Sequence, residues 1–249
     1  MTAPVWFGVV LDVPRVTFSA SIAFWSAATG TTSSPTRGED GQFLTLLPEH
    51  GTPWITMQAV DGGPRLHLDV ASHDRPALLA RALDLGAGPA WQYGDVPVLR
   101  SPGGLLFCLT LAEPAPRMAR DEAPILDQLC LDIPPAAWDT EIAFWRDLTG
   151  RDLAAGRLPH FARLLDPDPA GPVRFLLQRV DDDRPRTTAH PDIAVADRER
   201  ETARHVELGA AVVQVNTAWT ILRAPDGLIY CLTDRDPMTG LPLPPPTTA

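Results

Sequence analysis

Two short stretches of the chain each place a histidine and an aspartate two residues apart. The first is Arg65-Leu-His-Leu-Asp-Val70 and the second is His190-Pro-Asp-Ile-Ala194. Side chains two residues apart on a β-strand point to the same face of the sheet. A carboxylate beside an imidazole raises the pKa of the imidazole and fixes its tautomer, which suits acid–base chemistry. The candidate acid–base pairs are His67 with Asp69 and His190 with Asp192.

Internal repetition shows how these pairs are positioned. Leu11-Asp-Val-Pro14 recurs as Leu131-Asp-Ile-Pro134, and Ile22-Ala-Phe-Trp25 recurs as Ile142-Ala-Phe-Trp145, both at an offset of 120 residues. Further along, His67 matches His190 and Cys108 matches Cys231, now at an offset of 123 residues. The sequence therefore predicts two copies of one domain, with a net insertion of three residues inside the second copy. We predict domains over 1–112 and 125–236, a linker over 113–124 and a Pro-rich tail over 237–249.

Within each copy, hydrophobic periodicity and turn residues predict a short series of elements. The first copy has strands over 5–13, 41–47, 54–60, 65–70, 96–100 and 105–111, with helices over 19–29 and 75–85. The second copy repeats this order. In its last helix, over 198–208, we expect Ala203, Val206 and Leu208 to face the core. Each domain is thus predicted to be a tandem of two βαβββ units in an α+β fold.

Composition and charge exclude several classes of function. The formal net charge is −10 and the pI is about 5.0, which disfavours nucleic acid and anionic membrane surfaces as partners. The N-terminal residues resemble no secretion leader, and no apolar run is long enough to span a bilayer. Three unpaired cysteines, Cys108, Cys130 and Cys231, are typical of a reducing compartment. We expect a cytoplasmic protein that acts on a small molecule.

The order of these motifs resembles the glyoxalase-like branch of the vicinal oxygen chelate superfamily. The resemblance rests on Asp-Val-Pro, Ala-Phe-Trp, Leu-His-Leu-Asp and Pro102-Gly-Gly-Leu-Leu-Phe-Cys-Leu-Thr110, each with a counterpart, identical or related, in the second copy. That superfamily includes glyoxalase I, extradiol dioxygenases and bleomycin resistance proteins. The resemblance implies that each domain is a curled β-sheet cup around a ligand. It implies less about activity, because one fold hosts many chemistries.

Enzymes of the superfamily hold a metal ion with ligands from the first, fourth, fifth and eighth strands of a domain. The resemblance places the fifth-strand ligands at His67 and His190 and the eighth-strand ligands at Cys108 and Cys231. The first-strand positions fall at Gly8 and Gln128, and the fourth-strand positions at Gln58 and Gln178. The usual carboxylates are missing, so we expect no metal cofactor; a divalent ion held by histidine and cysteine is the alternative.

If the first-strand positions face the cup, strand alternation turns Asp12 and Asp132 inward as well. Each cup would then hold an aspartate, a histidine–aspartate pair and a glutamine. The alternative is that both aspartates bond backbone amides at the turn that follows and that both histidines are satisfied core residues. The asymmetry between Gly8 and Gln128, together with an extra His160, favours the second domain as the active one.

Aromatic side chains near the predicted strands could stack against a planar ligand. We assign this role to Trp54, Trp91, Tyr93 and Trp219, whereas Trp25 and Trp145 lie at the apolar spacing of helix core positions.

Two functions from different classes follow. The first is an enzyme of the isomerase, cyclase or lyase type that uses metal-independent acid–base chemistry on a metabolite or natural product. The second is a protein that sequesters a drug or natural product without chemistry, as bleomycin resistance proteins do. The duplicated domains could act as a monomer, since they form a pseudo-dimer within one chain, or as a homodimer.

Overall fold

The computed structural model describes residues 3–114, 116–165 and 173–244. These residues form two eight-stranded sheets. The first domain contains β1 (Trp6–Pro14), β2 (Thr32–Ser33), β3 (Phe43–Leu47), β4 (Ile55–Val60), β5 (Arg65–Ser72), β6 (Gly88–Tyr93), β7 (Val96–Arg100) and β8 (Leu106–Leu111). The second contains β9 (Ile125–Ile133), β10 (Leu153–Ala155), β11 (Phe161–Leu164), β12 (Arg174–Arg179), β13 (Thr188–Val195), β14 (Ala211–Val215), β15 (Trp219–Arg223) and β16 (Ile229–Asp234). The helices are α1 (Phe18–Thr29), α2 (Arg75–Asp84), α3 (Trp138–Thr149) and α4 (Arg198–Glu207).

Helix ends follow from local sequence. The side chains of Asp74 and Asp197 accept hydrogen bonds from backbone N–H groups in the first turns of α2 and α4, both at 3.0 Å. Helices α1 and α3 end at Gly30 and Gly150, whose φ angles of 65° and 69° are left-handed. The two copies therefore use the same start and stop signals.

The sheet topology is the same in both domains. The strand order is β2-β3-β4-β1-β5-β8-β7-β6 in the first and β10-β11-β12-β9-β13-β16-β15-β14 in the second. At the centre, β1 pairs antiparallel with β5, and β9 with β13. Each sheet is thus two βαβββ units joined along their first strands, and the predicted α+β fold of tandem curled sheets is confirmed.

Four of the strands were not predicted from the sequence. Strands β2 and β10 have two and three residues, too few for a hydrophobic alternation to show. Strands β6 and β14 lie at the sheet edges and are mostly exposed, so that period-2 burial is absent. Edge strands need no buried face, and their sequences carry a weak signal.

The inward face predicted for α4 is wrong at two of its three residues, whereas Leu208, directly after the helix, packs against the core as expected. Ala203 and Val206 are exposed, and the buried residues of this helix are Glu201 and His205. These polar side chains are buried because α4 packs against the end of α1 in the other domain, where Arg204 donates to the carbonyl oxygens of Ala27 and Ala28.

Aromatic side chains join the two domains. The rings of Phe7 and Phe175 lie 5.0 Å apart, and those of Phe107 and Trp145 lie 5.5 Å apart. Such edge-to-face pairs add to the apolar area buried between the sheets. The described part of the C-terminal segment lies along the second domain, where Leu243 N donates to Asp234 O at 3.0 Å. Residues 245–249 of the predicted tail lie outside the described residues.

Candidate functional site

Strand pairing brings the predicted acid–base residues of the first domain to one face of its sheet. His67 pairs with Val10, two residues from Asp12, and Asp69 pairs with both Gly8 and Cys108. Directly paired residues share a face, so Asp12, His67, Asp69 and Cys108 line one concave surface. We call this set the first cup. All of its members come from one domain.

In the first cup the imidazole of His67 lies against a buried carboxylate. His67 Nδ1 is 3.1 Å from Asp12 Oδ2, and Arg65 Nε is 2.7 Å from the same oxygen. Asp12 is fully buried and His67 is 7% exposed. Asp69 and Cys108, on the other side of the imidazole, are partly exposed. The first cup therefore meets solvent at its Asp69 end.

The second cup consists of Asp132, His190, Asp192 and Cys231. His190 Nδ1 lies 3.0 Å from Asp132 Oδ2, and His190 Nε2 lies 3.6 Å from Asp192 Oδ1. Arg184 Nη1 is 3.4 Å from Asp132 Oδ2 and takes the role that Arg65 has in the first cup. In both cups an imidazole thus lies between two aspartates.

These contacts set the protonation of the histidines. Burial by itself lowers the pKa of His67, but the contact with the Asp12 carboxylate outweighs it and raises the pKa to about 10. The pKa of His190 is likewise well above its usual value, because the contact with the Asp132 carboxylate outweighs burial. Both imidazoles are therefore cationic at neutral pH. That state favours proton donation over the role of base.

Burial raises the pKa of one carboxyl group and of the thiol in each cup, which favours their neutral forms. It raises the pKa of the Asp69 and Asp192 carboxyls, which makes each a stronger proton acceptor when ionised. It also raises the pKa of the Cys108 thiol, and that of Cys231 to about 11, so both thiols are neutral. Neutral thiols are poor nucleophiles, and the proton-transfer groups of each cup are its imidazole and carboxylates.

The cups differ at the first-strand position. In the second, Gln128 Nε2 donates to Asp192 Oδ2 at 2.6 Å, and Gln128 Oε1 accepts from Arg235. In the first, the matching residue is Gly8, which brings no side chain to Asp69. Asp192 is 2% exposed, whereas Asp69 is partly exposed.

The two other predicted glutamines, Gln58 and Gln178, lie on the cup faces but do not bond the aspartates or histidines. Gln58 pairs with Asp12 across β1 and β4, which places it on the cup face. Gln178 pairs with Asp132, and its Oε1 lies 3.5 Å from the Cys130 thiol, which donates to it. Cys130 is thus a further residue of the second cup, as strand alternation from Gln128 indicates. The arginines that pair with the outer aspartates were not predicted, although Arg65 stands two residues before His67 on the same strand.

The aromatic residues divide into two groups. The predicted ligand contact of Trp54 is wrong, because Trp54 is 6% exposed and its indole N–H donates to Leu126 O of the other domain at 2.8 Å. Tyr93 packs against Phe43, with ring centroids 5.4 Å apart, which joins the two ends of the sheet across the first cup. Trp91 shares the face of Tyr93 and is 50% exposed.

The second cup has a similar aromatic pair. Phe161 lies 6.1 Å from Trp219 between ring centroids. His160, a candidate extra group in the second domain, is exposed and stacks on Phe161 instead of reaching His190.

Comparison with known proteins decides the family. The family model of the glyoxalase-like domain matches residues 8–110 and again residues 128–233. The chain belongs to the glyoxalase-like domain family. None of the curated proteins matches this glyoxalase-like chain. The two matches cover both cups.

Solved structures of the vicinal oxygen chelate superfamily share the fold. A Mn(II)-bound glyoxalase from Novosphingobium aromaticivorans superposes with a TM-score of 0.69 at 17% identity, over 97% of this chain and 85% of that one. For 2,2',3-trihydroxybiphenyl 1,2-dioxygenase from Sphingomonas wittichii strain RW1 the TM-score is 0.64 at 14% identity, over 93% and 90% of the two chains. A catechol 2,3-dioxygenase superposes with a TM-score of 0.62 at 14% identity, over 94% of this chain and 88% of that one. At these identities the likeness shows the fold alone.

The residues of this chain do not suit the manganese ion of the first of these structures. His67, Asp69 and Cys108 offer nitrogen, oxygen and sulfur atoms within 4.8 Å of one another, as do His190, Asp192 and Cys231. Manganese prefers oxygen ligands, and a thiol is a soft ligand. Gly8 adds no donor, and the Gln128 amide already bonds Asp192 and Arg235. Zinc accepts mixed nitrogen, oxygen and sulfur ligands, so the metal content of the protein is a direct test.

Among the residues that the structure describes, no helix has the length and apolar character needed to cross a bilayer.

Proposed function

We propose that this glyoxalase-like protein is an enzyme that binds a small carbonyl compound in a cup and transfers protons to and from it without a metal ion. One observation carries the proposal: in each cup an imidazole is held between two aspartates, His67 with Asp12 and Asp69, and His190 with Asp132 and Asp192. A cation and a carboxylate on one surface are the two partners that a paired proton transfer requires.

The geometry suits an isomerisation or lyase reaction through an enol. Asp69, made more basic by burial, removes a proton from the carbon next to the ligand carbonyl. His67 donates its proton to the carbonyl oxygen, and the product of the two transfers is the neutral enol. Asp69 then returns its proton to a different carbon while neutral His67 takes back a proton from an enol hydroxyl, which gives an isomer and restores both residues. Asp12 keeps the imidazole oriented throughout, and Arg65 balances the charge of Asp12.

A second candidate is sequestration of an aromatic compound without reaction. It is favoured by the aromatic pairs Phe43–Tyr93 and Phe161–Trp219, each of which joins strands from opposite halves of one sheet, and by the exposed ring of Trp91. Native mass spectrometry of the protein as isolated would detect a retained compound. Release of that compound unchanged, together with no turnover of any related carbonyl compound, would support sequestration.

The enzyme proposal is tested by deuterium exchange. Wild-type protein in D₂O at neutral pH is incubated with a panel of α-hydroxyketones, 1,2-dicarbonyl compounds and cyclic ketones, and NMR follows deuterium entry next to the carbonyl. We expect at least one compound to exchange and the variant His67→Gln/His190→Gln to be slower by about 10²- to 10⁴-fold. His73→Gln, an exposed histidine, is the matched control and should exchange as wild type does. Equal rates in the double variant would refute the proposal.

The proposed setting follows from the same features. Each cup is built from strands of one domain, so a second copy of the chain is not needed to complete a site, and we propose that a monomer suffices. All three cysteines are free thiols, which supports a reducing, cytoplasmic compartment.

A further inference from the structure

We propose that only the first cup takes the ligand, and that the ligand presents an amide or hydroxyl hydrogen-bond donor to Asp69, a donor that Gln128 supplies from within the chain in the second cup. This inference rests on the proposed small-molecule function and specifies both the working cup and the ligand chemistry. It reverses the preference for the second domain that Gln128 and His160 suggested from the sequence.

The argument begins with the internal symmetry of the chain. Gly8 pairs with Asp69 across β1 and β5, and Gln128 pairs with Asp192 across β9 and β13. The two positions are therefore equivalent in the pairing, although β13 has a register shift directly after Asp192 that β5 lacks, and they differ in the side chain. In the second cup the Gln128 amide fills the place beside the aspartate, with its N–H group 2.6 Å from the carboxylate.

The Gln128 amide is held firmly from behind. Its oxygen accepts from Arg235, whose guanidinium also bonds the buried carboxylate of Asp127. Arg120 and Arg174 bond the same carboxylate, at 3.0 and 3.2 Å. A ligand that displaced the amide would leave buried groups unsatisfied, which is costly. Gln128 is therefore a permanent occupant of the second cup.

The first cup has no such occupant among the described residues. No amide or guanidinium there donates a hydrogen bond to Asp69: the Cys108 thiol donates to it, and the exposed Arg37 guanidinium acts on it through its charge alone. Asp69 and Cys108 are partly exposed, while Asp192 and Cys231 are 2% and 4% exposed. The second cup does reach solvent at its other end, where Asp132 lies, but that end is bridged by Arg184. A ligand can thus reach Asp69 but not Asp192.

Cys108 in the first cup and Cys231 in the second can report by alkylation which cup admits a small molecule. Iodoacetamide and iodoacetate alkylate thiols and differ in that the first carries an amide and the second a carboxylate. The folded protein is treated with each reagent, and peptide mass spectrometry gives the alkylation rate of every cysteine. The rate ratio of the two reagents at one thiol cancels the thiol's own reactivity, and an unfolded sample shows that all three cysteines can react.

We expect Cys108 to react and Cys231 to remain unmodified over the same time. At Cys108 the ratio of iodoacetamide to iodoacetate should exceed that of a free cysteine peptide by about tenfold, the effect of one hydrogen bond to a charged group. Asp69→Asn should still be alkylated at Cys108 but with the ratio of the free peptide. Asp192→Asn, the matched change in the closed cup, should leave the Cys108 ratio unchanged.

Swapping the residues at positions 8 and 128 tests whether the Gln128 side chain is what closes the second cup. Gln128→Gly should make Cys231 reactive, and Gln128→Ala serves if the glycine variant is unstable. Gly8→Gln should protect Cys108, although the Cβ of residue 8 would lie 3.2 Å from Asp69 Cβ and requires a small shift. Equal reactivity of Cys231 and Cys108 in wild type, or a Cys108 ratio that Asp69→Asn does not change, would overturn the inference. These readouts need no turnover, so their failure is distinct from failure of deuterium exchange.

Discussion

The buried carboxylate of Glu141 accepts a hydrogen bond from Ser101 Oγ at 2.6 Å, across the contact between the two domains. Glu141 lies on α3 of the second domain, and Ser101 lies in the turn between β7 and β8 of the first. The backbone N–H of Gly103 and the indole N–H of Trp145 donate to the same carboxylate, at 2.6 and 2.9 Å. Three buried donors therefore depend on one side chain.

A second contact between the domains also pairs an indole N–H with a buried carboxylate, but here the carboxylate lies in the turn instead of on the helix. The indole of Trp25, on α1 of the first domain, donates to Asp226 Oδ2 at 2.8 Å, and Asp226 lies in a turn of the second domain. Asp226 is the repeat equivalent of Gly103, and Ser21 is the equivalent of Glu141. Each contact thus has one carboxylate, from the helix in one case and from the turn in the other. The two contacts are not interchangeable, which fixes how the domains pair.

Removal of Glu141 should destabilise the protein strongly. Glu141→Ala leaves three buried donors without an acceptor, and we expect a loss of about 3 kcal/mol in the free energy of unfolding. Asp226→Asn keeps one acceptor oxygen and leaves one of two donors, the Trp25 indole or the Leu228 backbone N–H, without a partner, so it should cost less. Urea denaturation measures both, with the exposed Glu49→Ala as the control. A Glu141→Ala curve that overlays that of the control would show that the contact contributes no stability.

The sequence predicts the cups better than it predicts the domain contact. The repeat offsets and strand alternation are local rules, and they were sufficient to place Asp12, His67 and Asp69 on one face, where the structure brings them together. The sequence did not predict which end of the second cup is closed to solvent. Gln128 covers Asp192 there and is held by Arg235, a residue that follows the last strand.

Features that depend on the other domain were misread or missed. Trp54 has the spacing of a strand residue near a cup, yet its indole bonds Leu126 of the second domain. Glu141 is a polar residue in an amphipathic helix, and nothing in its own segment shows that it is buried. The acceptor and donor partners in both cases come from residues far along the chain, so no local pattern contains them.

Stability should fall as the pH rises above neutral. The pKa of His67 is about 10 in the folded protein, because the contact with the Asp12 carboxylate outweighs burial, and 6.5 is its ordinary value. The folded state therefore keeps a proton that the unfolded chain loses, and the stabilisation is complete below pH 6.5 and lost as the pH approaches 10. The loss should be on the order of a few kcal/mol. Urea denaturation from pH 6.5 to 10 should give a flatter profile for His67→Gln than for wild type, and parallel profiles would contradict the charged pair.

The purified protein should carry little manganese or iron. Cells are grown with added manganese, iron and zinc, and elemental analysis gives metal per chain. We expect less than about 0.1 equivalent of manganese or iron, because the soft thiols of Cys108 and Cys231 stand where a hard ion needs oxygen. EDTA should leave the thermal midpoint unchanged. One equivalent of zinc that is lost in Cys108→Ser would instead identify a metal site in the first cup and refute metal-independent chemistry.

Stability should also fall on the acid side, for a different reason. His205 is fully buried, and burial together with the charge of Arg204 lowers its pKa to about 4. Its ring nitrogens lie 3.1 Å from Arg204 Nη2, which donates, and 2.8 Å from the Tyr230 hydroxyl, which must then accept. The folded state excludes a proton that the unfolded chain binds below pH 6.5, so this stabilisation is present above pH 6.5 and lost as the pH falls toward 4.

His205→Asn should remove that part of the acid dependence. An asparagine can still donate to Tyr230 but does not titrate, so about 3 kcal/mol of the wild-type loss between pH 6.5 and 4 should disappear. The variant will be less stable than wild type at neutral pH, because Arg204 loses its acceptor, and the slope rather than the absolute value is the readout. His160→Asn, at an exposed histidine, is the control and should keep the wild-type slope. Equal slopes for His205→Asn and the control would mean that folding does not lower the pKa of His205, and would contradict the burial and the Arg204 contact as causes of the shift.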